Sequence, residues 1–161
     1  FPLAELVTVD YHEPRREMSR SLGADRALSP DALDDMEGDA DISLELSGNP
    51  DALDSALDIT GYAGDVIVGS WYGNKEVTLS LGDEYHRSHI RMRSSQVSRL
   101  DPDHADRWDK DRRMDLVCSK LAERDLGRLV THSVPIEQAK QAYELLDDRD
   151  DDVIQATLNY Q

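Results

Sequence analysis

Leu6-Val7-Thr8-Val9-Asp10 is a β-branched run that closes on an acid, and the residues after it set the fold. Branched side chains favour a pleated strand, so residues 6–10 read as one. Glu13 to Leu22 then reads as a helix with Pro14 in its first turn, where a missing amide proton costs nothing. Gly23 ends that helix, and Ala27-Leu28 reads as a further short strand. A strand, a helix and a strand in so short a span favour α/β over all-α or all-β.

The same alternation continues outward. Residues 40–46, with Ile42, Leu44 and Leu46, read as a strand that ends in Ser47-Gly48-Asn49-Pro50. A helix follows from Pro50, with Leu53, Ala56, Leu57 and Ile59 at helical spacing. Gly61 and Gly64 bracket a turn into Val66-Ile67-Val68-Gly69, a buried strand. Next come a glycine-punctuated loop (Trp71-Tyr72-Gly73-Asn74), an edge strand or hairpin at Val77-Thr78-Leu79 and a strand over 90–97. Residues 101–113 read as a loop or helix entry, 114–126 as a helix and Leu129-Val130-Thr131-His132 as a strand. The chain closes with an amphipathic helix over 135–146 (Ile136, Ala139, Ala142, Tyr143, Leu146) and a strand over 153–158. No internal repeat or low-complexity linker interrupts the pattern.

The chain has 161 residues and a formal net charge of −16, and it is long enough for one domain with a core. That charge argues against nucleic-acid binding, which needs Lys and Arg to neutralise phosphates. Lysine occurs only at Lys75, Lys110, Lys120 and Lys140, while aspartate dominates the acids, in runs such as Asp147-Asp148 and Asp150-Asp151-Asp152. Such a surface resembles those of proteins from salt-loving organisms, where salt screens self-repulsion. The single cysteine, Cys118, excludes a disulfide framework and falls on the apolar side of its helix, so it is expected to be buried. With no apolar stretch of membrane-spanning length and no signal-peptide pattern, a soluble cytoplasmic protein is expected.

Asp10 carries a further reading. In a dinucleotide-binding fold, an acid at the end of the second strand hydrogen-bonds the adenosine ribose, about 20 residues after a glycine-rich turn that holds the pyrophosphate. Nine residues precede Asp10 here, and none is glycine. The chain therefore reads as the rear part of a cofactor-binding enzyme, and Phe1 in place of methionine points the same way.

Further pieces match in order: Ser21-Leu22-Gly23-Ala24-Asp25, Leu44-Glu45-Leu46-Ser47-Gly48-Asn49, Gly64-Asp65-Val66-Ile67-Val68-Gly69, Pro135-Ile136 and Ala142-Tyr143-Glu144-Leu145-Leu146. Together with Val9-Asp10 and Leu129-Val130-Thr131-His132, they resemble the C-terminal part of the medium-chain dehydrogenase/reductase family, the zinc-type alcohol dehydrogenases. The resemblance implies a Rossmann-like, doubly wound, mostly parallel sheet that lacks its first strand and glycine-rich turn. It implies a partial NAD(P)-binding domain over 1–128 and a segment over 129–161 that packs back on a catalytic domain.

Roles follow by position. The resemblance implies that Asp10 takes the ribose hydroxyls, favouring NAD over NADP, and places Arg15 beside the same ribose, which leaves NADP open. Ser47 and Gly48 would lie at the cofactor edge of the sheet. Val68, Gly69 and Ser70 would meet the nicotinamide, and Ser94 and Ser95 its carboxamide from the other side. Gln155 stands where the family often has a basic residue for the pyrophosphate. The family's zinc ligands belong to its N-terminal domain, and nothing in this chain replaces them, so no catalytic or metal-binding residue is expected here. The complete enzyme would act on an alcohol or polyol with NAD and zinc, as a homo-oligomer, and this portion alone would be inactive.

Rival readings are weaker. A methyltransferase also places a ribose-binding acid after its second strand, but its sheet ends in an antiparallel hairpin. A non-catalytic remnant or interaction module fits the missing front. His86 and His89 are three apart, yet no third ligand follows and Arg87 and Arg91 crowd them, so a surface pair is expected. His132 is expected to order a strand end, Trp71, Tyr72, Tyr85 and His86 to rim a cleft, and no nucleophile-elbow serine is present. With its first strand missing, the strand at 6–10 would keep an unpaired edge, so the chain is expected to fold poorly or to dimerise there.

Overall fold

The computed structural model describes residues 3–33, 36, 38–82, 84–148 and 153–160. The acidic run at Asp150-Asp151-Asp152 and the position of Phe1 lie outside them. Two compact units are present, one formed by residues 1–32 and 113–161 and the other by residues 33–112.

In the first unit, β1 (Val7–Val9), α1 (Glu13–Ser21) and β2 (Arg26–Leu28) follow as the sequence predicts, and β1 pairs β2 in parallel. Pro14 stands in the first turn of α1, and Gly23 leaves the helix at φ +106°, a conformation that disfavours a side chain. The Asp25 carboxylate accepts the Leu6 amide at 2.7 Å and pins the entry to β1. The unit also holds most of α4 (Lys110–Ala122), then β6 (Val130–Pro135), α5 (Ala139–Asp147) and β7 (Gln155–Asn159), with β6 parallel to β7.

Two helices depart from expectation. No residue of α4 is buried, and Met114, Val117 and Leu121 are exposed, so Cys118 on that side is exposed rather than core filler. Of the apolar set assigned to the last helix, only Ala142 is fully buried. Tyr143 and Leu146 face solvent, because β6 and β7 offer too narrow a surface to cover a wider stripe.

The second unit is a three-stranded parallel sheet in the order β3 (Ala40–Glu45), β4 (Thr60–Val68), β5 (Arg91–Ser94). Helix α2 (Pro50–Asp58) connects β3 to β4, and Asn49 caps it by accepting the Asp51 amide at 3.1 Å. Leu53, Ala56 and Leu57 of α2 pack with Val66 and Ile90 into the core of this unit. Short helix α3 (Glu84–Arg87) precedes β5.

Two details correct the sequence reading. Gly61 and Gly64 lie inside β4, where the pairing with β3 slips between Ala40 and Ile42 and Ala63 takes φ 59°, so the expected turn is a bulge within the strand. Residues 77–79 form no strand. Asp54 of α2 accepts the Ser80 amide at 2.8 Å, and Val77 and Leu79 pack on the helical core, so this segment lies over α2 rather than along the sheet.

Candidate functional site

Parallel strands deliver their C-terminal ends to one edge of a sheet, and that edge is where open α/β folds hold ligands. In the second unit it carries Ser47 and Gly48 after β3, Gly69 and Ser70 after β4, and Ser94 and Ser95 at the end of β5. Val68 pairs Glu45 on one side and Ser94 on the other, and the Ser95 amide donates to the Val68 carbonyl at 2.8 Å. All seven residues to which the resemblance gives nicotinamide-side roles therefore share one edge.

The edge is organised by a residue that the sequence reading quoted but gave no role. Glu45 ends β3 with its side chain turned into the unit, 3% exposed. Its Oε1 accepts the Ser47 amide and the Ser47 hydroxyl, each at 2.6 Å, and the Gly48 amide at 3.0 Å. Its Oε2 accepts the Ser70 hydroxyl, and the Tyr72 hydroxyl at 2.8 Å. Burial alone would raise the carboxyl pKa, but hydrogen bonds from Ser47, Ser70 and Tyr72 outweigh it and hold the group below its ordinary value. Burial first, then the adjacent carboxylate, pushes the Tyr72 phenol up to about 12.

Side chains and backbone tighten the same two loops. Lys75 donates to the Gly48 carbonyl at 2.8 Å, and the Gly69 amide donates to the Glu45 carbonyl at 2.9 Å. Gly48 has φ +68°, and a Cβ there would approach the Trp71 carbonyl oxygen at 3.2 Å. Trp71 itself is 88% exposed beside these loops.

Alternation hid Glu45. Ile42, Leu44 and Leu46 look like the inward face of β3, yet the face packed into the unit carries Ser43 and Glu45, while Leu44 is 61% exposed. The inward polar groups are satisfied in series. Ser43 Oγ lies 2.6 Å from Thr60 Oγ1, which donates to the Ala56 carbonyl at 2.6 Å. An acid in step with a serine, two residues before a Ser-Gly, was the available signal.

In the first unit, Asp10 stands just past the end of β1 and its carboxylate accepts the His12 amide at 2.9 Å. Arg15 is half-buried and donates to the Val153 carbonyl at 3.1 Å, whereas Arg16 donates to the carbonyls of Asp10 (2.6 Å) and Tyr11 (2.7 Å). His89 takes φ 53° and meets Tyr62 edge-on, and His86 lies in α3. His132 lies within β6, its Nδ1 3.0 Å from the Thr131 hydroxyl. Gln155 opens β7 and is exposed. Among the described residues no group of three or more His, Cys, Asp or Glu is placed to hold a metal. No helix among them is long and apolar enough to cross a membrane.

Residues 3–110 match a family model described as zinc-binding dehydrogenase. No curated protein sequence matches the chain. Among solved structures, an alcohol dehydrogenase zinc-binding domain protein from Burkholderia ambifaria is similar at 22% identity and TM-score 0.75, covering 98% of this chain and 42% of that one. L-idonate 5-dehydrogenase from Escherichia coli is similar at 18% identity and TM-score 0.75, covering 98% and 43%. An E. coli alcohol dehydrogenase in complex with NADH is similar at 14% identity and TM-score 0.75, covering 98% and 45%. At these identities the likeness establishes the fold, a Rossmann-like α/β arrangement, and the chain spans less than half the length of each of the three. Every strand pairing among the described residues is parallel, which leaves the antiparallel hairpin of a methyltransferase without a counterpart there.

Proposed function

The chain belongs to the zinc-binding dehydrogenase family, and on that premise we propose that it is the cofactor-binding part of an NAD(P)-dependent alcohol or polyol dehydrogenase. One observation carries this reading: the loops at 47–48 and 69–70 are fixed side by side at the carboxyl edge of a parallel sheet. When bound, the nicotinamide cofactor supplies the hydride acceptor, and this chain's residues hold and orient it. Asp10 receives the ribose hydroxyls and disfavours a 2′-phosphate, so NAD is the proposed cofactor and NADP the lesser one. The backbone at Val68, Gly69 and Ser70 borders the nicotinamide, and Ser94 and Ser95 meet its carboxamide. Arg15, held by Val153, steadies the ribose side rather than reaching freely for a phosphate.

Zinc coordination, the alcohol substrate and oligomeric assembly belong, on this proposal, to a longer protein of which residues 1–128 are the cofactor domain and 129–161 the return to a catalytic domain. Reading the chain as a non-catalytic interaction module makes a different prediction for cofactor binding. The test is titration of the chain with NADH and NADPH, followed by energy transfer from tryptophan to the reduced nicotinamide. Saturable transfer with NADH, at least about tenfold weaker for NADPH or for Asp10→Ala, is expected. Failure of NADH to bind favours the module.

A further inference from the structure

Glu45 is the only charged residue fully buried among the described ones, and the ligand contacts proposed above give it no part. Its two oxygens divide their work. Oε1 takes every bond from the loop after β3, the Ser47 and Gly48 amides and the Ser47 hydroxyl. Oε2 takes every bond from the loop after β4, the Ser70 and Tyr72 hydroxyls. With five donors on one carboxylate, no lone pair or proton is free for acid–base chemistry on a substrate. A buried charge with fewer partners would be costly, so the arrangement persists only while both loops stay closed on it.

We propose that Glu45 is the positioning residue of this site: one buried carboxylate locks the loops at 47–49 and 69–72 into a single cradle for a dinucleotide. The ligand class rests on the reading of this edge as the cofactor side, while the clamp itself does not. Tyr72 strengthens it, since its hydroxyl lies 2.8 Å from Glu45 and 3.2 Å from the Asn49 carbonyl and so spans both loops. Gly48 is required beneath it, because a side chain at φ +68° would press on the Trp71 backbone. Freed from the clamp, each loop would sample other conformations, and binding would then require re-ordering them.

Two measurements on the 161-residue chain separate the clamp from the ligand. Amide exchange without ligand, comparing wild type with Glu45→Gln, reads the loops directly. The Ser47 and Gly48 amides should exchange about tenfold faster or more, while ladder amides of β3 and β4 stay protected. Tyr72→Phe removes one donor and keeps the charge, so it serves if Glu45→Gln fails to fold, and its effect should be smaller and confined to the same loops. NADH titration in a Trp108→Phe background, with Trp71 as sole donor, should then show affinity about tenfold weaker in Glu45→Gln. Unchanged loop exchange, or loosened loops with unchanged NADH affinity, would overturn the proposal. If wild type binds no NADH, the dinucleotide reading falls, and the exchange result alone decides the clamp.

Discussion

Thr8 Oγ1 is buried in β1 without a hydrogen-bond partner among the described residues, and an unsatisfied buried hydroxyl costs about 1–3 kcal/mol. Thr8→Val replaces it with a methyl of the same shape. Urea denaturation should show the variant as stable as wild type or more stable by up to about 1 kcal/mol, and a clear loss would mean the hydroxyl has a partner. Gly61 works the opposite way. A Cβ there would drive into the Gly38 carbonyl, backbone against backbone, so Gly61→Ala should cost about 1–3 kcal/mol on the same assay. Cys118 tests a third residue, since it lies exposed on a helix with no buried face. It should react with an aromatic disulfide reagent in the native chain at nearly the rate seen in denaturant, and slow labelling would show the α4 surface to be covered.

At the scale of elements, the ends of β3 and β4 are joined through Glu45, and pH should reveal it. The folded carboxyl pKa lies below its ordinary value of 4.5. Its contribution is therefore complete above that value and is lost as pH falls through the folded pKa. The stability advantage of wild type over Glu45→Gln should shrink as pH falls below the ordinary value of 4.5, a difference that cancels the other carboxylates. Tyr72 runs in the other sense. Its folded pKa is raised from 10.0 to about 12, so its contribution is present below the unfolded value and lost as pH rises through the folded one. Phenolate absorbance should show one late-titrating tyrosine, moved downward but not fully to 10.0 by Glu45→Gln, because burial remains.

For the whole molecule, charge and unpaired edges compete. A net charge of −16 repels itself, and the screening length falls from about 10 Å at 0.1 M salt to about 3 Å at 1 M. Stability should therefore rise steadily with potassium chloride, and a flat response would remove the salt-adapted reading. Among the described residues β1 and β3 are each hydrogen-bonded to a strand on one side only, and Ile42, Leu44 and Leu46 of the β3 region are exposed. Screening should release pairing between two copies along such an edge. Sedimentation is expected to show monomer at low salt and dimer in molar salt, and a monomer in both would show the edges to be protected.

The sequence by itself determined the order of the main strands and helices, though not the missing strand at 77–79 or the short helix α3. Short-range chemistry carries that information: β-branched runs made β1 and β4, Pro14 and Asn49-Pro50 opened α1 and α2, and Gly23 ended the first helix. It also set Ser47-Gly48, Gly69-Ser70 and Ser94-Ser95 at or just past strand ends, and the parallel pairing of those strands gathers them on one edge. Tertiary structure decided which face of each element turned inward. Alternation in β3 marks two faces without saying which is packed, and the packed one holds Ser43 and Glu45 because Thr60, Ser47, Ser70 and Tyr72 satisfy them there. The same limit applies to Cys118 and to residues 77–79, whose surroundings depend on contacts that local sequence does not encode. Glu45 was legible as a strand end but not as a clamp, since its donors lie up to 27 positions away and meet it only when β3 and β4 pair.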